Sequence, residues 1–171
     1  MQIAGPATIT EFQTVGAPTS RPAAVGDVMP PGSGLQLGPY PGDSATVRLP
    51  GGSTVRLTGP AVAATGRLGA RLSFGFGGNG SPPAAIVLSL FGPARLQVAP
   101  GTRLRVRVGT AEVTAEGPAV FSTFWMSPNV PDATVSVSRG AVVVSGGEGT
   151  PSGPTRLAAG QSVFIHAPTG R

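Results

Sequence analysis

Hydrophobic and polar residues alternate through most of this chain, in short runs that end at glycine or proline. Alternation with a period of two belongs to strands that bury one face, and the Gly/Pro boundaries supply the turns. Ala7-Thr-Ile-Thr-Glu-Phe-Gln13 reads as a first strand, and a Gly/Pro/Ser/Thr connection then leads to Ala24-Val-Gly-Asp-Val-Met29. Pro30-Pro-Gly-Ser-Gly34 and Gly38-Pro-Tyr-Pro-Gly42 make turns on either side of the short Leu35-Gln-Leu37, and Ala45-Thr-Val-Arg-Leu49 with Thr54-Val-Arg-Leu57 reads as a hairpin. Residues 84–91 are the most apolar stretch, but a membrane span takes about 20 residues, so they read as a buried strand. The longest stretches free of both Gly and Pro run over residues 7–15 and 119–127, shorter than the roughly 11–12 residues of an average helix. The expected domain is all-β and turn-rich, with about 10–13 short strands and any helix limited to a turn or two.

Two registers can be argued from the sequence. A two-residue turn at Gly109-Thr110, with Gly first as a type II′ turn prefers, sets Val108 opposite Ala111. Arg107 then faces Glu112, Arg105 faces Thr114 and Arg103 faces Glu116, while Val106 with Val113 and Leu104 with Ala115 line the other face. In the earlier hairpin, a three-residue loop Gly51-Gly-Ser53 keeps Val47, Leu49, Val55 and Leu57 on one face and sets Arg48 opposite Arg56. Like charges so opposed are unfavourable, so they either splay into water or accept a carboxylate between them. A weak repeat, two alternate apolar residues followed by Gly and a further apolar residue, recurs around Gly52, Gly101 and Gly140. Spacings of 49 and 39 residues are too irregular for a solenoid, and the three segments read as similar strand-turn-strand corners in one sheet system.

Composition narrows the function. With 27 glycines and 19 prolines in 171 residues the chain carries about twice ordinary usage, yet 40% of it is hydrophobic and only 11% charged, which argues against self-repelling disorder. At this length one domain with a sizeable core is expected, over residues 1–171. All the basic residues are arginines, scattered from Arg21 to Arg171 for a net charge of +5; with no block or stripe, nucleic acid is not the expected partner. Without cysteine there is neither a disulfide framework nor a thiolate. The amino terminus lacks the charged and apolar segments of a secretory signal.

Catalytic constellations are missing from the pattern. One histidine, His166, rules out a metal site built from several imidazoles, no Gly-x-Ser-x-Gly elbow accompanies it, and it reads as an exposed strand-end residue. Glu112 and Glu116 lie on one strand face about 13 Å apart at roughly 3.3 Å per residue, wider than the 5–9.5 Å of glycosidases, and the register pairs both with arginine. Gly75-Phe-Gly-Gly-Asn-Gly80 lacks Gly-Lys-Ser/Thr and is followed by Pro82-Pro83, so it reads as a hairpin or loop tip and not a phosphate cradle. No enzyme activity, cofactor or metal is expected.

Aromatic residues carry more. Phe121-Ser-Thr-Phe-Trp-Met126 holds the only Trp, and a strand cannot bury the consecutive Phe124, Trp125 and Met126 on one face. The segment is therefore either a core strand or an anchor for a partner protein or membrane interface. Phe74 and Phe76 beside the glycine-rich segment are a second candidate contact, and Arg48 with Arg56 a third.

In chain order these segments resemble the FecR-type domain of bacterial extracytoplasmic proteins. Residues 24–35 resemble its Val-Gly-Asp opening, residues 45–57 its central hairpin, residues 106–121 its Thr-Pro-x-Ala through Gly-Thr-x-Phe stretch, and residues 133–144 with 157–163 its closing pair. The chain departs at Glu116-Gly117-Pro118, where the family has Arg-Gly-Thr, and residues 74–83 look like an inserted Gly-rich loop. Members that regulate sigma factors resemble a cytoplasmic segment, a membrane helix and this domain outside; the sequence shows neither of the first two. The resemblance implies an antiparallel β-sandwich or short β-roll, placed peripherally in the periplasm or at the cell surface. The expected function is a structural or accessory subunit making protein contacts in a larger, membrane-associated assembly, with oligomeric state open. A sensor or regulatory domain of a cell-surface signalling system and a small-ligand or glycan-binding module are the alternatives.

Overall fold

The computed structural model describes residues 5–15, 23–38, 40–59, 71–77, 85–127, 130–146 and 153–166. Strands follow the Gly/Pro punctuation. The first five are β1 (Ala7–Gln13), β2 (Val28–Met29), β3 (Gly34–Gln36), β4 (Ser44–Arg48) and β5 (Thr54–Thr58). Next come β6 (Arg71–Gly77), β7 (Ala85–Phe91), β8 (Ala94–Val98), β9 (Arg103–Val108) and β10 (Ala111–Glu116). The chain closes with β11 (Ala119–Ser127), β12 (Val130–Arg139), β13 (Ala141–Ser145), β14 (Thr155–Ala158) and β15 (Ser162–Ile165). A 3-10 turn at Pro50–Gly52 is the only helical element among the described residues. The fifteen strands among the described residues exceed the expected number because β2 and β3, two and three residues long, are too short to show an alternating pattern.

The strands form two sheets, and the chain passes repeatedly from one to the other. Sheet A runs β15-β12-β11-β8-β5-β4-β1-β2 and sheet B runs β14-β13-β10-β9-β7-β6-β3. In both, spatial order follows chain order almost throughout, so the molecule grows from one end to the other like a two-sided roll. Pairing is antiparallel except for β7 with β9, which lie parallel because β8 intervenes in the opposite sheet. The strands that end each sheet are two to four residues long, a length that blunts the exposed edge. Alternate residues of both sheets point inward into one contiguous core that includes Leu57, Leu88, Leu96, Leu104 and Phe121. No helix among the described residues is long and apolar enough to cross a membrane.

The register of β9 with β10 is the one the sequence predicts: Val108 faces Ala111, Arg107 faces Glu112 and Arg103 faces Glu116, with Gly109 at φ +62°. The β4–β5 register is not. Val47, Leu49, Val55 and Leu57 do share the buried face, but Arg48 faces Thr54, and Arg56 faces Thr46. The 3-10 turn explains the shift: Leu49 N donates to Ser53 O (2.7 Å) and Gly52 N to Leu49 O (3.1 Å), which draws both flanking residues into the loop.

Two further expectations change. Residues 74–77 are the second half of β6, paired with β7 through Phe74↔Leu88 and Phe76↔Ile86, so these four residues of the loop expected over 74–83 are strand; residues 78–84 lie outside the described residues. The repeat glycines Gly52, Gly101 and Gly140 all have positive φ, as turn residues should. Only the first joins strands of one sheet; Gly101 and Gly140 lead from sheet A to sheet B. Val143 also breaks the repeat by facing outward between the buried Val142 and Val144.

Candidate functional site

The aromatic segment lies on β11, in the interior of sheet A. Phe121 is fully buried, set between Leu96 on β8 and Val137 on β12, so it is a core residue and not a contact for a partner. Trp125 is half-buried against the same core, and its ring meets Phe91 edge to face at 5.4 Å. The Trp125 carbonyl also accepts a 2.8 Å hydrogen bond from Gly92 N, at the corner where the chain leaves sheet B for β8. Trp125 thus holds that corner. The side chains of Met126, Phe74 and Phe76 lie outside the described residues.

Phe124 is the exposed member of the segment. It faces Thr134 on β12, which in turn faces Phe164 on β15, and the two rings are 39% and 49% exposed. With strands about 4.8 Å apart, Phe124 and Phe164 stand roughly 10 Å apart on one outward row, with the smaller threonine between them. His166 extends this patch: its ring packs edge to face on Phe164 at 4.7 Å, and Nδ1 lies 3.1 Å from Asp132 Oδ1. His166 is exposed at the strand end, as the sequence predicts. Phe164 is a contact candidate beyond those the sequence predicts, and it alternates with His166 in Ser162-Val-Phe-Ile-His166.

The outer face of sheet A changes character towards its middle. Arg56 on β5 stands directly opposite Arg95 on β8, and Arg48 lies two residues along on β4. Arg56 Nη1 lies 3.6 Å from Glu11 Oε2, and the same carboxylate oxygen accepts a 2.9 Å hydrogen bond from Thr46 Oγ1. A carboxylate from another strand therefore does meet one of the two arginines predicted to clash, but the like-charged neighbour is Arg95.

Sheet B handles its arginines differently. Arg103 Nη2 pairs with Glu116 Oε1 at 2.9 Å, and Arg105 Nε reaches Glu112 Oε1 at 3.9 Å. Arg105 takes the glutamate diagonally, although Arg107 is its direct neighbour. These pairs are partly exposed, so a double-mutant cycle on Arg103 and Glu116 should give a coupling below about 1 kcal/mol. A clearly larger coupling would show that the pair is organised by its surroundings beyond simple surface attraction.

An open hollow of about 530 Å³ lies beside these pairs, lined among others by Thr114, Glu116, Pro118, Val143 and Arg156. Its carboxylate is already engaged by Arg103. Among the described residues no group of three or more His, Cys, Asp or Glu is placed to share a metal ion. Asp43 is buried, but it acts as a tie: Oδ1 accepts from Val15 N (2.6 Å) and its carbonyl from Gly59 N (2.7 Å).

Two solved structures share the fold. Both are described as a "putative anti-sigma factor" from Parabacteroides distasonis ATCC 8503, one at 2.50 Å and one at 1.65 Å resolution. They are 20% and 21% identical to this chain, with a TM-score of 0.57 in each case, over 81% and 80% of it. The matched region is 58% and 57% of their own chains, so this chain spans less than two thirds of their length. At this identity the likeness establishes the architecture. No protein-family model matches the chain, and no curated protein does.

Proposed function

We propose that this chain is a non-enzymatic protein-contact domain of the FecR type, working outside the cytoplasm as a regulatory or accessory part of a larger, membrane-associated assembly. The observation that carries this reading is the outward row Phe124–Thr134–Phe164 at the β15 end of sheet A. Two large apolar rings left exposed on one outward row are what a partner protein covers as an anchor. The fold shared with proteins described as anti-sigma factors supports the regulatory form of the reading.

Purification of the tagged chain from native membranes after mild cross-linking tests it. The expected result is recovery with a partner in fixed stoichiometry, lost in the Phe124→Ser/Phe164→Ser double variant while its circular dichroism stays unchanged. Recovery of the unaltered chain as a lone monomer would sink the reading. A change in sigma-factor-dependent transcription in the same variant would identify the role as regulatory, and unchanged transcription with lost association as accessory.

A further inference from the structure

The central strands of sheet A carry positive charge that the fold does not balance. Arg56 and Arg95 are direct cross-strand neighbours, an arrangement that costs stability, and Arg48 stands one strand over and two residues along. From strand spacing and rise per residue, their three backbone positions fall within about 12 Å. Sheet B sets glutamates beside Arg103 and Arg105; here, among the described residues, Glu11 is the single carboxylate in contact, and it reaches Arg56 alone. Among the described residues Arg48 and Arg95 have no carboxylate partner, and both are exposed.

The groups around the arginines specify the kind of anion. Arg48 is flanked across strands by Thr8 and Thr54, while Arg95 faces Ser122 on its other side. Hydroxyls that both donate and accept suit a ligand that is itself rich in hydroxyls, and a guanidinium fork matches a carboxylate in two parallel hydrogen bonds. Protein interfaces centre their arginines among large aromatic anchors. None of the exposed large apolar side chains stands on β4, β5 or β8, and serine is depleted from protein interfaces.

We infer that the outer face of sheet A binds an acidic polysaccharide, with Arg48, Arg56 and Arg95 holding its carboxylates and the flanking Thr and Ser hydroxyls holding its sugar hydroxyls. The polymer lies across the strands, in line with the row from Arg56 through Arg95 to Ser122. The site borders the aromatic row on β11, where Ser122 and Phe124 stand two residues apart on the outer face, but its arginines stand on β4, β5 and β8.

Titration with polygalacturonate at low salt, followed by calorimetry, tests it, with dextran as the neutral counterpart. Polygalacturonate should bind and dextran should not. The Arg48→Gln/Arg95→Gln double variant should lose affinity by about tenfold or more, while Arg107→Gln on sheet B leaves it unchanged. Thermal melts of both variants keep a folding defect distinguishable from a binding defect. No binding by the unaltered protein, or binding indifferent to the double variant, overturns the inference. So does equal or tighter binding of polyglutamate, single-stranded DNA or phosphatidylglycerol vesicles, which would assign the arginines to an acidic protein, a nucleic acid or a lipid surface.

Discussion

Phe121→Ala should lower the stability of the domain by about 3–5 kcal/mol, the range for removing a fully buried phenylalanine side chain. Phe121 has no solvent exposure and sits on β11 with paired strands on both sides, so the cavity left behind has little freedom to collapse. A domain is stable by about 5–15 kcal/mol in total, which makes this a large fraction of the whole. Urea titration should show the midpoint falling at unchanged slope. Phe124→Ala, three residues along the same strand but on the outer face, should change stability by less than about 0.5 kcal/mol. A loss below about 1 kcal/mol for Phe121→Ala would mean that the two sheets are not closely packed there. An equal loss for both substitutions would contradict the assignment of faces on β11, and with it the exposed aromatic row.

Alternation reveals which face of a strand is buried and leaves its register open. Alternation assigned β1 to Ala7–Gln13 and the inward face of the β4–β5 hairpin, because burial of one face repeats with period two. Period two is blind to a slip of two residues, and the β4–β5 register differs from the expected one by such a slip at Arg48 and Arg56. Every apolar side chain stays on its own face after such a slip, and only the turn decides the register. At Gly109-Thr110 a two-residue turn left no choice, and the β9–β10 register was legible throughout. At Pro50–Gly52 the 3-10 turn took up more residues than a simple count allows.

Contacts between strands distant in sequence were not legible. Arg56 meets Arg95 because the chain leaves β5, forms β6 and β7 in sheet B and returns as β8, and no local pattern encodes that return. Glu11 meets Arg56 through a register that shifts between Ile9 and Glu11 on β1. Composition was more informative about what the chain lacks than about where its remaining charges gather. The candidate polysaccharide face consists of residues that each look like ordinary strand surface when read alone.

Gly140→Ala should cost about 2–5 kcal/mol, from a left-handed backbone that a side chain resists and from a collision that the fold cannot relieve cheaply. Gly140 adopts φ +74° between β12 and β13. A Cβ there would overlap the Pro118 carbonyl oxygen and press on Ala119 Cα at 2.9 Å. Both are main-chain atoms at the start of β11, where Ala119 is paired with Val98, so relief would have to displace a sheet pairing. Gly101 is the natural control, with φ +75° and nothing within 4 Å of the equivalent Cβ. Gly101→Ala should therefore show the backbone cost alone, about 1–2 kcal/mol. Chemical denaturation of the two variants side by side separates the terms. A Gly140→Ala loss exceeding the Gly101→Ala loss by about 1–3 kcal/mol measures how firmly the start of β11 is held. Equal losses would mean that the Pro118–Ala119 backbone yields, and that the crossing at Gly140 is not the close approach that ties β11 to the return of the chain into sheet B.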